Sequence, residues 1–176
     1  ETLFPRPTVS KAVKLYIASP VFDGWFASAY TISLMGSVRM LNKYNVPYEY
    51  RLLQKTSVLH HARNRLVGEF LTTDCTHMLF IDADMGWPAE APLELLAHNK
   101  DVIGAVGVTK EDNPVFCVKH TPETFRWDAQ TGLMRVSGVG AAFLLISRSC
   151  IEKVAKAYEH MAYQDVKADN PNIPNV

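Results

Sequence analysis

The 176-residue chain predicts an α/β domain: a mostly parallel central sheet flanked by helices, with a small antiparallel portion in its C-terminal part. Three observations carry that expectation. Short β-rich runs alternate with segments of helical apolar spacing up to residue 107, in the order β-α-β-α-β-α-β. The run HMLFID (77–82) is apolar at successive positions, as a strand covered on both faces must be. Beyond it the pattern breaks into shorter β-rich pieces separated by turn residues, which reads as antiparallel pairing.

Each element follows from local signals. Residues 1–13, with Pro5 and Pro7, read as a leading arm. KLYIAS (14–19), closed by Pro20, is the first strand, and PVFDG (20–24) is a turn. Residues 25–43 place Phe26, Ala29, Ile32, Leu34, Val38 and Leu41 near helical spacing, with that side inward. YEYRLL (48–53), after Pro47, is the second strand. SVLHHARNRLVGEFL (57–71) reads as a helix with Leu59, Ala62, Leu66, Val67 and Phe70 inward and Ser57 as its N-cap. The third strand ends at Asp82, and Pro88 opens a short helix through AEAPLELLAHN (89–99). DVIGAVG (101–107) is the fourth strand. VFCVKH (115–120) and FRWDAQTGLMRVSG (125–138) read as antiparallel pieces with a turn near Ala129–Gly132. AAFLLIS (141–147) is a strong apolar strand. Ser149 with Glu152 three residues on spells a capping box for a helix reaching about Tyr158. The tail 165–176 reads as loop.

Bulk properties narrow the function classes. A hydrophobic fraction of 48% predicts a packed body rather than disorder. Lys plus Arg equals Asp plus Glu at 18 each, so no global charge draws the chain to nucleic acid or an anionic membrane. Any phosphate must bind through a local site. Cys75, Cys117 and Cys150 form no CxxC pair and read as reduced thiols of a cytoplasmic protein. No apolar run reaches membrane-spanning length, and the N-terminus does not spell a signal peptide. The first residue is Glu1 rather than Met, which reads as processing or trimming.

FIDADMGWP (80–88) carries the chemistry. It places Asp82 and Asp84 directly after an apolar strand, where two carboxylates repel each other and lose hydration. In open α/β sheets ligands gather beyond the carboxyl ends of the strands. A divalent cation with oxygen ligands offsets the repulsion, and Mg²⁺ or Mn²⁺ favours carboxylate, phosphate and water together. The plain alternative is an acidic surface turn. The loop lacks the further acids of an EF-hand, and the chain has neither GxGxxG after its first strand nor a P-loop. Adjacent His60 and His61 are expected to point their rings apart and form no zinc site with His77. Trp87 reads equally as a stacking platform or as a lid on the core. Trp25 and Phe26 read as packing residues, Lys110 and Glu111 as loop, and Asp165 and Asp169 as solvated loop acids.

ASPVFDG, then the stretch from HHARNRLVGEF through FIDADMGWP to DVIGAVG, then VSGVGAAFLLISR resemble the DxD-type nucleotide-sugar glycosyltransferases of the GT-A fold. The likeness is to family-2-like, compact bacterial, phage or virus forms, and it runs from about Leu15 to Arg148. It implies a GT-A-like, Rossmann-like fold and a hexosyltransferase using a UDP- or GDP-sugar, with Mn²⁺ or Mg²⁺ on the diphosphate. The acceptor, whether glycan, protein or lipid-linked, stays open. By position, Ser19, Pro20, Val21 and Asp23 would line the nucleoside pocket. Arg63 and Asn64 would face the base or diphosphate. Asp82 would reach the ribose, or the metal through water, with Ala83 beside it and Asp84 as the direct metal ligand. Arg63 and Asp84 would be the catalytic groups. Gly138, Val139 and Gly140 would wall the donor sugar and acceptor. One domain is expected, with 14–110 as the nucleotide-binding half and 111–160 as the acceptor-side half. The acidic Glu-Asp helix start and late His usual in this family are not spelled at 159–176, so C-terminal truncation or a differently built acceptor side is expected. The rival readings are a sugar nucleotidyltransferase and a catalytically silent nucleotide-sugar-binding domain.

Overall fold

A computed structural model describes residues 13–54, 58–107, 112–113, 115–119 and 126–162. The chain runs through β1 (Leu15–Val21), α1 (Ser28–Lys43), β2 (Tyr48–Gln54), α2 (Leu59–Leu71), β3 (His77–Ile81), α3 (Ala91–Ala97) and β4 (Val102–Gly104). Four short strands follow: β5 (Val118–Lys119), β6 (Arg126–Asp128), β7 (Leu133–Arg135) and β8 (Gly138–Val139). The last long elements are β9 (Phe143–Ser147) and α4 (Arg148–Ala157). The main sheet has the order β2-β1-β3-β9-β4, while β5 pairs with β8 and β6 with β7 in two small antiparallel ribbons.

The β2-β1-β3 portion is parallel, as the alternating pattern predicts. The sheet as a whole is mixed. β9 lies antiparallel between β3 and β4, so the fourth strand does not pair with the third. Side-chain chemistry explains the insertion. Phe143 and Leu145 bury on one face, and Leu144 and Ile146 pack on the other, so β9 is stable only inside a sheet. β4 starts at exposed Val102 and is short, which suits an edge.

Strand alternation sorts the core into two layers. Leu15, Ile17, Leu79, Ile81, Ile103, Phe143 and Leu145 face α1 and α3. Tyr16, Ala18, Leu53, Met78 and Phe80 face Ala62, Leu66 and Phe70 of α2 and Ile151 of α4. Each fully buried Leu, Ile or Phe contributes about 1.5–3 kcal/mol, so these two layers supply the main driving force of the fold. α1 connects β1 to β2 on one side, and α2 returns over the opposite face to β3 on the far side of β1. The carboxyl ends of β1 and β3 therefore flank a topological switch point.

Several expectations shift. The buried stripe of α1 is Tyr30, Leu34, Ser37 and Leu41, whereas Ala29 and Ile32 face outward, Ile32 at 71% exposure. An apolar-only reading missed that Ser37 turns inward to serve as a hydrogen-bond partner. Leu59 opens α2 in solvent, and Glu69 is buried in its last turns, bonded by Arg51 Nε at 2.5 Å and Arg65 Nε at 3.4 Å. Ser57 lies outside the described residues; Val58 stands at the N-cap without a side-chain bond. α3 is shorter than 89–99 and carries Pro92 in its first turn, where no N–H is needed. α4 is capped by Ser147, whose Oγ accepts from Cys150 N at 3.2 Å, so it starts ahead of the Ser149 box. Glu152 pairs instead with Arg148. Cys75, Cys117 and Cys150 are free thiols. Among the described residues no helix is long and apolar enough to cross a membrane.

Arg148 locks α4 to the far end of α2. Its Nε donates to Cys75 O at 2.7 Å, and its Nη2 donates to Phe70 O at 3.0 Å and Thr73 O at 2.9 Å. Its guanidinium lies 4.4 Å from the Phe70 ring centre. The cation thus ties together carbonyls at and just beyond the end of α2, Phe70 O also accepting from Thr73 N and Thr73 Oγ1. Arg148→Met is expected to cost about 3 kcal/mol in urea unfolding, because three charge-assisted hydrogen bonds to backbone carbonyls are lost. Arg148→Lys should recover only part, since an ammonium lacks the planar fork.

Candidate functional site

Asp82 is the first residue beyond β3, where the chain leaves the core. Its amide donates to Ala142 O at 2.9 Å, and its carbonyl accepts from Met85 N at 3.2 Å, which turns the chain. Ala83 O accepts from Ala27 N at 3.0 Å, tying the residue between the two acids to the start of α1. From the neighbouring layer, Arg63 of α2 reaches Asp82. Its Nη2 lies 2.9 Å from Oδ1 and 3.2 Å from Oδ2. The two side chains are 25% and 27% exposed, so solvent reaches the pair. Arg63 Nε is buried with no hydrogen-bond partner among the described residues. Asp84 is exposed.

The loop after the acids is clamped onto α1. Trp87 N donates to Ser33 Oγ at 2.9 Å, and Trp87 Nε1 donates to Ser37 Oγ at 2.8 Å. The Ser37 hydroxyl in turn donates to Ala89 O at 3.1 Å. The indole lies edge-on to Tyr30 at 5.1 Å and tilted against Phe143 at 5.5 Å. Gly86 and Gly36 permit the approach: a Cβ on either would sit 3.0 Å from a methyl carbon, that of Ala29 and that of Ala89 respectively. Trp87 is thus half-buried against the core with its indole N–H satisfied by α1.

The other predicted site residues divide. Ser19, Pro20 and Val21 are buried at the end of β1. The Ser19 hydroxyl is bonded to Tyr30 OH, which also meets Tyr50 OH at 2.9 Å, so this side chain is spent inside the fold. Burial pushes the Tyr30 phenol above its usual pKa. Asp23 is exposed and accepts from Trp25 N at 3.2 Å, leaving it as the solvent-facing acid after β1. Asn64 is half-buried beside Arg63 on α2. Gly138 and Val139 form β8, with the Val139 side chain against Gly104, where an added Cβ would come within 2.9 Å. Gly140 is exposed near Cys117 O. The Asp82 amide donates to Ala142 O, which sets Ala142 beside the backbone of the first acid. Lys110, Glu111, Asp165 and Asp169 lie outside the described residues.

The histidines follow a different geometry from the expectation. The exposed rings of His60 and His61 sit 4.6 Å apart, edge to face, rather than diverging. His77 opens β3 at the opposite end from Asp82 and bonds Thr76 Oγ1 at 2.9 Å.

One acidic cluster escaped the sequence reading because its members are far apart in the chain. Glu49, Asp74 and Cys75 bring ligand atoms within 4.8 Å of one another, and they are the one such group of three among the described residues. Lys14 already fills it: Nζ bonds Glu49 at 2.7 Å and also Asp74. Burial pushes the Cys75 thiol up, away from the thiolate a metal would need. This is a lysine-neutralised ion cluster. The Asp82–Asp84 pair differs, because its donors are hard carboxylate oxygens, with Asp84 exposed and Asp82 partly exposed against Arg63. That donor set fits Mg²⁺ or Mn²⁺, which take one or two carboxylates and complete their shell with water and phosphate.

No protein-family model matches the chain, and no curated protein matches it. The class of protein therefore rests on fold and site: a layered α/β domain with an acid pair and a guanidinium at its switch point.

Ser37→Ala should cost about 1–3 kcal/mol, since Trp87 Nε1 loses its acceptor in a half-buried setting. Urea unfolding measures this, and a red shift of Trp87 emission should accompany it. A second expectation concerns pH. Burial holds the His77 pKa below the usual 6.5, against the weaker opposing pull of Asp101. The unfolded chain then takes up the proton first as pH falls. This contribution is intact above about pH 6.5 and declines as pH drops toward the folded-state value. Urea midpoints across that window should fall less steeply in His77→Gln than in the wild type.

Proposed function

We propose that this is a GT-A-like domain that transfers a sugar from a UDP- or GDP-sugar to an acceptor, aided by Mn²⁺ or Mg²⁺ at Asp82 and Asp84. The observation that carries the reading is the D-x-D pair at the carboxyl end of β3, at the switch point, with Arg63 drawn against its first acid. Structural surface turns do not require a guanidinium brought from a separate layer.

The chain's own groups divide the work. Asp84, exposed at the loop, offers its carboxylate to a cation, and Asp82 supplies a second oxygen ligand or a partner for the ribose. When bound, the cation would act as a Lewis acid on the departing diphosphate. Arg63 adds a fixed positive charge that can take phosphate oxygens through more than one N–H. The Trp87 clamp holds the loop at one position, which spares reorganisation when a donor arrives. The Asp82 amide, donating to Ala142 O, ties the chain just after Gly138, Val139 and Gly140 to the first acid, and those three residues would wall the donor sugar.

Thermal unfolding in a panel of nucleoside diphosphates, with and without Mn²⁺, tests the reading. A true ligand at 100 times its Kd stabilises by about 2.7 kcal/mol, so one base should stand out only with the metal present. Asp84→Ala should abolish that metal-dependent rise. An undiminished rise in the variant would remove Asp84 from the site. Metal-dependent release of UDP or GDP from the matching sugar nucleotide then separates a transferase from a domain that only binds.

A further inference from the structure

The arginines of this chain are used in two different ways. Arg51 grips Glu69 with two nitrogens on two oxygens, Nε at 2.5 Å from Oε2 and Nη2 at 3.3 Å from Oε1. Arg148 commits Nε and Nη2 to three backbone carbonyls. Both contacts use the planar fork and are structural. Arg63 touches Asp82 with a single nitrogen, split between both oxygens, while its buried Nε has no hydrogen-bond partner among the described residues. An unmet buried donor costs free energy, so the guanidinium sits at Asp82 without reaching its best geometry. It neutralises the acid and remains ready for an acceptor of different shape.

We infer that Arg63 is the resident counter-cation of Asp82, occupying in the free protein the charge position that a divalent ion takes over, and that a diphosphate is what draws the guanidinium away. This rests on the reading that Asp82 and Asp84 accept a divalent ion. A dication and a guanidinium cannot share one carboxylate without repulsion. The metal alone therefore binds more weakly while Arg63 holds the acid, and an Arg63 moved aside is left without a counter-ion. A diphosphate supplies that counter-ion, since its oxygens suit the arginine fork. Metal and diphosphate then bind with positive coupling, and each raises the affinity for the other. Arg63 is in this sense a positioning residue that suppresses occupation of the acid pair by metal alone.

Mn²⁺ titration followed by electron paramagnetic resonance, without nucleotide, tests this directly. Arg63→Gln should bind Mn²⁺ about tenfold more tightly than the wild type, because like-charge competition is gone. The gain should vanish when Asp82→Asn is added. Arg63→Lys keeps the charge but reaches less far, so it should fall between, and it carries the test if the glutamine variant does not fold. Mn²⁺ affinity that is unchanged or weaker in both Arg63 variants, yet lost in Asp84→Ala, overturns the displacement and leaves the metal site standing. No Mn²⁺ binding in any variant, with or without pyrophosphate, overturns both readings. An equal gain in the Arg63→Gln, Asp82→Asn double variant would also overturn it, because the effect would not run through Asp82.

Discussion

Burial of β3 on both faces is the constraint from which the rest follows. Met78, Leu79 and Ile81 are fully buried, so no charge is tolerable along the strand. The first place a carboxylate can stand is beyond Ile81, the last residue of β3 that pairs with β9. The same constraint draws β9 into the sheet, since a two-sided apolar neighbour is needed to cover the edge of β3. It also brings Ala142, the residue before β9, to the Asp82 amide.

Charge follows a consistent rule in this molecule. Glu69, nearly buried in α2, is met by Arg51 and Arg65. Asp74 and Glu49 share Lys14. Removing its arginines would strand Glu69 in a poorly solvated place, whereas Asp74 and Glu49 keep contact with water beside Lys14. The Asp82–Arg63 pair is the exception in form. It leaves a buried N–H, that of Arg63 Nε, without a hydrogen-bond partner among the described residues. That difference makes this site a better candidate for ligand chemistry than the larger Glu49–Asp74–Cys75 cluster, where the lysine is already seated.

The loop carrying the acids is positioned by a polar seam rather than by more apolar surface. Ser33 and Ser37 project from α1 at the spacing of one helical turn and take the two N–H groups of Trp87. Tyr30, one layer deeper, packs against the same indole and bonds the end of β1 through Ser19. The ends of β1 and β3 are thus mechanically joined through α1, so a shift at either end would be felt at the other. A hydrophobicity pattern shows none of this, because the residues that make the joint are hydroxyl-bearing.

The chain by itself determined the alternating order of elements, the two-sided burial of HMLFI and the position of Asp82 and Asp84 just past that strand. These properties are local: β-propensity, helical spacing and the end of an apolar run are written in neighbouring residues. It also showed that Arg63 lies on a helix beside Asn64. It did not show that this helix crosses to the far face and lays Arg63 on Asp82, nineteen positions away. Only the tertiary structure decided that, together with the antiparallel place of β9, the inward turn of Ser37, the withdrawal of Ser19 into the core and the filling of a distant acid cluster by Lys14. Each of these depends on which strands become neighbours, and strand pairing is settled by packing between segments remote in sequence rather than by any preference the segments carry alone.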